Sequence, residues 1–151
     1  MSVVGQSDIE RLLRVRTGLR RFLRWSERQS DAAGITPAQH QLLLAVGGHP
    51  DPSGPTIGEV ADYLVLRHNS AVGLVDRAAA AGIVRRTPDP RNNRIVRLTL
   101  TAAGIGKLQA LAQMHRDELA HLERMVDALR QALDRGRTTT AHGATPATAD
   151  D

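Results

Sequence analysis

The stretch RRTPDPRNNRIVRLTL, residues 85–100, decides how this chain is read. It opens with Arg85 and Arg86, turns through Pro88-Asp89-Pro90 and shows Arg91 at its tip. It then returns as an alternating strand with Val96, Leu98 and Leu100 on one side. Residues 83–87 are predicted as the outgoing strand and 95–100 as its antiparallel return. A loop that only closed a hairpin would not need so many guanidinium groups, so the hairpin reads as a wing carrying positive charge towards a partner.

Working outward, TIGEVADYLVL begins at Thr56 with Glu59 three residues on, the pattern of a capping box, and Ile57, Val60, Ala61 and Leu64 form its apolar stripe. RHNSAVGLVDRAAAAGIV follows directly, and the two helices are expected to be joined by roughly a three-residue turn, the spacing of a helix-turn-helix. Asn69 or Ser70 is the expected cap of this second helix. Val72, Leu74, Val75, Ala78 and Ala79 supply its inner face, and Gly82 ends it in the left-handed conformation that glycine tolerates. Upstream, Thr36 followed by Pro37 starts a helix predicted over 37–46. Gly47-Gly48 ends it, and HPDPSGP is a loop by composition.

At both ends the pattern is helical and long. Ile9, Leu12, Leu13, Leu19, Phe22 and Leu23 recur at helical spacing over 7–28, with Ser7 or Asp8 as cap. Arg11, Arg14, Arg20, Arg21, Arg24 and Arg28 fill the other faces, which read as solvated, with a membrane-surface helix as the rarer alternative. Leu108, Leu111, His115, Leu119, Leu122, Val126, Leu129 and Leu133 step by three and four along a helix predicted over 101–135. This is a heptad seam, which points to dimerisation, or else to packing on the chain's own N-terminal helix. The expected organisation is an N-terminal dimerisation helix at 7–35, a winged helix-turn-helix at 36–100, a C-terminal dimerisation helix at 101–135 and a disordered tail at 136–151.

Composition bounds the rest. Aromatics are 2% of the 151 residues and the hydrophobic share is 41%, so the core must come from Leu, Val, Ile and Ala, which suits packed helices and not a large aromatic ligand cage. The net charge of +4 rests almost wholly on arginine, Lys107 being the lone lysine. That balance suits a polyanionic partner, though a high-GC genome would produce the same bias. With no cysteine, disulfides, thiolate nucleophiles and cysteine-ligated zinc are excluded. Neither a signal-peptide pattern nor a membrane-spanning apolar run is present in the sequence, so a soluble cytoplasmic protein with no membrane partner is expected.

The predicted fold is mainly α, a winged helix-turn-helix with a two-stranded wing and long N- and C-terminal helices. In such an arrangement the second helix enters the major groove of double-stranded DNA and the wing reaches the backbone or adjacent minor groove. Arg67, His68, Asn69 and Ser70 stand where base edges are met, unless Asn69 and Ser70 only cap the helix. Arg91 suits a narrow minor groove. Asp89 would orient the loop or an arginine, and Arg86 and Arg94 would touch phosphates. There is no phosphate-cradling glycine loop, metal-ligand cluster or nucleophile–base set, so no enzyme and no cofactor are expected. His115, Glu118 and His121 share helical spacing but lack a further metal ligand.

LVDRAAAAGIVRR, DPRNNR and VRLTLTAAG together resemble the MarR family of bacterial transcription regulators over roughly residues 7–133. The resemblance implies a homodimer with interlocked terminal helices and one winged helix per subunit, binding a pseudo-palindromic operator, as a repressor by expectation. An architectural or protein-interaction winged helix without an effector is the alternative. Arg77, after Asp76, matches a position whose arginine supports the fold or contacts backbone near the wing, with a structural Asp76–arginine pair as the competing reading. Trp25 and His40 would line a crevice for a small lipophilic or phenolic effector, or else simply pack in the core. The wing departs from the family pattern in one respect: Asn92-Asn93 stands where an acidic residue commonly follows the central arginine.

Overall fold

The computed structural model describes residues 5–139, and within its last helix it describes only the backbone at 117, 118, 129 and 132–139. In chain order the elements are α1 (Gln6–Ala32), α2 (Pro37–Gly47), α3 (Ile57–Leu64), α4 (His68–Ala80), β1 (Val84–Pro88), β2 (Val96–Leu100) and α5 (Ala102–Thr139). The chain is mainly α with one antiparallel hairpin, as the hydrophobic periods predict. It divides into two compact units, one up to Met114 and one from His115 onward.

The helix starts follow local chemistry. Thr36 Oγ1 accepts from Gln39 N at 3.1 Å, and the Gln39 side chain returns the bond to Thr36 N, with Pro37 at the first helical position. Thr56 and Glu59 form the same reciprocal pair at 3.2 and 2.8 Å. α1 differs from expectation. Gly5 occupies the cap position, and Asp8 supports the turn from inside the helix by accepting from Gly5 N at 3.2 Å. Thr101 caps α5, accepting from Gly104 N at 3.1 Å while donating to Gly82 O at 2.6 Å. Gly82 has φ +72°, the left-handed geometry expected of it.

Leu42, Leu43, Val60, Val75, Ile83, Leu98 and Leu111 are the centre of the first unit and are almost completely buried. Each such leucine contributes about 1.5–3 kcal/mol by leaving water. The hairpin register runs from Val84 opposite Leu100 to Pro88 opposite Val96. Leu98 is buried and Leu100 half-buried, but Val96, nearest the tip, is exposed.

The two long helices leave apolar residues uncovered within one chain. In α1 only Ser26 and Ser30 are buried, while Leu12 and Leu13 are 56% and 62% exposed. In α5 Leu111 and His115 are buried but Leu119 and Val126 are exposed. The side chains of Leu129 and Leu133 lie outside the described residues. α5 continues past Arg135 to Thr139, so the segment expected as disordered begins in helix; residues 140–151 lie outside the described residues.

Candidate nucleic-acid interface

The turn between α3 and α4 sets the first half of the site. α3 closes with Leu66 N donating to Ala61 O at 2.9 Å and Val65 in the left-handed region at φ 54°, ψ 47°. Arg67 then takes an extended backbone (φ −67°, ψ 148°) and becomes the cap of α4, with no side-chain cap bond. The expectation that Asn69 or Ser70 caps this helix is therefore corrected: both lie inside its first turn. Side-chain cap preferences favour Asn and Ser, but the reversal at Val65 starts the helix earlier than those preferences suggest. Arg67, His68, Asn69 and Ser70 are all exposed. The unpaired N–H groups of this first turn add a partial positive charge beside them.

The wing is built differently. Asp89 is 4% exposed, and its Oδ1 accepts from Arg91 N at 2.7 Å and Asn92 N at 3.1 Å. Its Oδ2 is ion-paired with Arg97 Nε. Arg97 also donates from Nη1 to Gly54 O at 2.9 Å, with Glu59 at 3.7 Å. Asp51, in the α2–α3 loop, accepts from Ser53 N at 2.9 Å and from Arg91 Nη2 at 2.7 Å. Leu98 N donates to Pro55 O at 2.8 Å, so the loop lies along β2 as an added edge. Gly54 makes this approach possible: its φ is +84°, and a Cβ there would stand 1.8 Å from Leu98 O.

These contacts set the charge states. The Arg97 guanidinium, followed by the Arg91 amide, holds the Asp89 carboxyl down at about 2 from its ordinary 3.8. The Ser53 amide and then the Arg91 side chain lower Asp51, and the Asp89 bond raises Arg97. Arg91 remains 70% exposed despite its pairing with Asp51, so its guanidinium faces outward from a fixed base. Asn92 Oδ1 accepts from Arg94 N at 3.2 Å and stiffens the turn without adding charge.

Other candidate residues lie apart from this constellation. Asp76 pairs with Arg86 across α4 and β1, and Arg77 is exposed. His40 is buried, with Nδ1 3.1 Å from Ser30 Oγ, whose hydroxyl donates to Ser26 O at 3.0 Å. Trp25 is half-buried, its ring 6.2 Å from Phe22. Among the described residues no group of three or more His, Asp or Glu could hold a metal ion, and no helix is long and apolar enough to cross a membrane. The Glu118 side chain lies outside the described residues.

Arg97, Asp51 and Gly54 are the wing-bracing residues that sequence reasoning missed. The only local signal was DPSG, an Asp two residues before a Ser amide, which is the chemistry of an Asx turn.

The MarR family model matches residues 33–95. The transcriptional activatory protein BadR of Rhodopseudomonas palustris is 31% identical over 86 residues, which are 57% of this chain and 49% of that protein. The match thus spans about half the length of that curated relative. A crystal structure of a MarR family transcription regulator superposes with a TM-score of 0.67 at 20% identity, covering 91% of this chain and 95% of that one. An E. coli MarR mutant complexed with operator DNA gives 0.64 at 21% identity, covering 89% and 98%. At these identities the structural likeness establishes the winged-helix fold. The helix-turn-helix and most of the wing fall within the residues that the MarR family model matches.

Proposed function

We propose that this protein is a DNA-binding transcription regulator that grips a pseudo-palindromic operator as a homodimer, without catalysis. The observation that carries the reading is the first turn of α4. It presents four exposed polar side chains, Arg67, His68, Asn69 and Ser70, while the braced wing carries the 70% exposed Arg91. Asn suits adenine, Arg suits guanine, and Arg91 suits a narrow minor groove. Arg86 and Arg94 meet phosphates, Arg77 contacts backbone near the wing, and Asp89 orients the tip. The solved complex of an E. coli MarR mutant with operator DNA supports this placement by its fold.

The exposed apolar residues of α1 and α5 favour a second copy as their cover, with 7–35 and 101–135 dimerising and 36–100 reading DNA. Leu12→Glu with Leu13→Glu is expected to shift sedimentation towards monomer. A small lipophilic or phenolic effector near Trp25 and His40 would act by changing the separation of the two recognition helices, productive at about 34 Å. Trp25 is the sole tryptophan, so its fluorescence reports such binding directly. Repression is the expected output. BadR is named an activatory protein, and the sign in either case follows where the operator lies relative to the promoter.

The test is titration of the purified chain with duplex from immediately upstream of its own gene, beside a scrambled duplex, at low and moderate salt. Selective binding that weakens with salt is expected. Equal affinity for both duplexes would favour the architectural reading, and binding to neither would refute both.

A further inference from the structure

Val65 is the only non-glycine residue with positive φ among the described residues; Gly34, Gly54 and Gly82 hold the other such positions. A side chain branched at Cβ is poorly suited to this region, because its methyl groups crowd the backbone on either side. The position is the reversal that ends α3, where glycine is the favoured residue. Packing does not explain the valine, since Val65 is 90% exposed, the most exposed of the large hydrophobic residues described. Neither backbone conformation nor burial favours valine here, and such unfavourable backbone is retained mostly where a surface is used.

Its place in the fold indicates the use. Val65 immediately precedes Leu66 and Arg67, the cap of α4, and its backbone is held by the Asp62 carbonyl at 3.3 Å. The neighbouring first turn of α4 is polar, so Val65, far more exposed than Leu66 at 38%, is the leading apolar group of that edge. The major groove offers one apolar group on its base edges, the C5-methyl of thymine.

We propose that Val65 is a specificity-determining residue whose methyl groups seat against a thymine methyl at one position of each half-site. This rests on the reading of α4 as the recognition helix. Strain in the α3–α4 turn is retained because it projects this side chain ahead of the helix.

The experiment begins with selection of a duplex from a randomised pool by the wild-type chain. Each thymine is then replaced singly by deoxyuridine, which differs only in lacking the methyl group. Affinities are measured for wild type, Val65→Gly and Val65→Asn, the last two being residues that accept left-handed backbone. Wild type should lose about four-fold at one thymine per half-site, the value of a buried methyl-sized group. Both variants should ignore that replacement and melt at higher temperature than wild type. The assignment is overturned if no thymine methyl matters to wild type, or if the same thymine still matters to both variants. Failure of the pool to enrich any duplex would instead sink the DNA-binding reading itself, and this assignment with it.

Discussion

The wing tip and the first turn of α4, the two parts of the candidate interface, are built on opposite principles. In the wing nearly every polar group is engaged: Asp89 holds two backbone amides and Arg97, Arg97 reaches Gly54, and Asp51 holds Arg91. In the turn, Arg67 to Ser70 are exposed and rely on the helix itself for position. A hairpin with only two strands has little intrinsic rigidity, so it borrows rigidity from ion pairs and from the α2–α3 loop. A helix is already rigid, so its side chains need no such brace. The contrast teaches that the acidic residues of the wing serve placement, and it leaves the exposed polar residues of the turn available for the recognition proposed above.

The contrast breaks most severely at Gly54. Gly54→Ala brings a Cβ into Leu98 O at a backbone angle that alanine resists, so the loop must leave β2. A loss of about 3 kcal/mol or more is expected, read from the denaturant midpoint. An unchanged midpoint would show that the loop does not brace the wing.

Asp89→Asn comes next, and its effect depends on pH. The folded-state value of about 2 lies below the ordinary 3.8, so the charged carboxylate stabilises the native chain at neutral pH. That contribution is lost as pH falls from about 4 towards 2, where the folded form also takes up the proton. Wild type should therefore melt above Asp89→Asn at pH 7, and the gap should close in acid. A gap independent of pH would place the effect in packing and not in the Arg97 pair.

Much of this fold was legible in the sequence because its signals are local. Thr36-Pro37, Thr56 with Glu59 and Gly82 each act within a few residues, and each appears as read, whereas of the apolar side expected for β2 only Leu98 is fully buried and Val96 is exposed. The wing brace was not legible, because Asp51 and Arg91 are brought together only by the loop's path along β2. Arg97 looked like an outward residue of an alternating strand, yet its side chain is only 12% exposed because the same loop covers it. The start of α4 was misjudged for a related reason: the cap was sought in residue preference, whereas the left-handed turn at Val65 decides it.

Asn69→Ala should leave stability within about 0.5 kcal/mol of wild type, since the side chain is exposed and packs on nothing in the core. It should cost about 1–3 kcal/mol of discrimination at one base pair. Arg91→Ala should also cost the fold little, its pair with Asp51 being a surface one. It should weaken binding across duplexes and reduce the salt dependence by about one phosphate contact. Loss of stability in Asn69→Ala would mean that the residue supports the helix after all.

The most direct measurement compares the affinities of wild type, Asn69→Ala and Arg91→Ala for a selected duplex and for its scrambled counterpart. Asn69→Ala should lower the ratio of the two affinities while leaving the scrambled value nearly unchanged. Arg91→Ala should lower both values and preserve most of the ratio. A uniform loss in Asn69→Ala, or a loss confined to the selected duplex in Arg91→Ala, would contradict the division of labour between helix and wing.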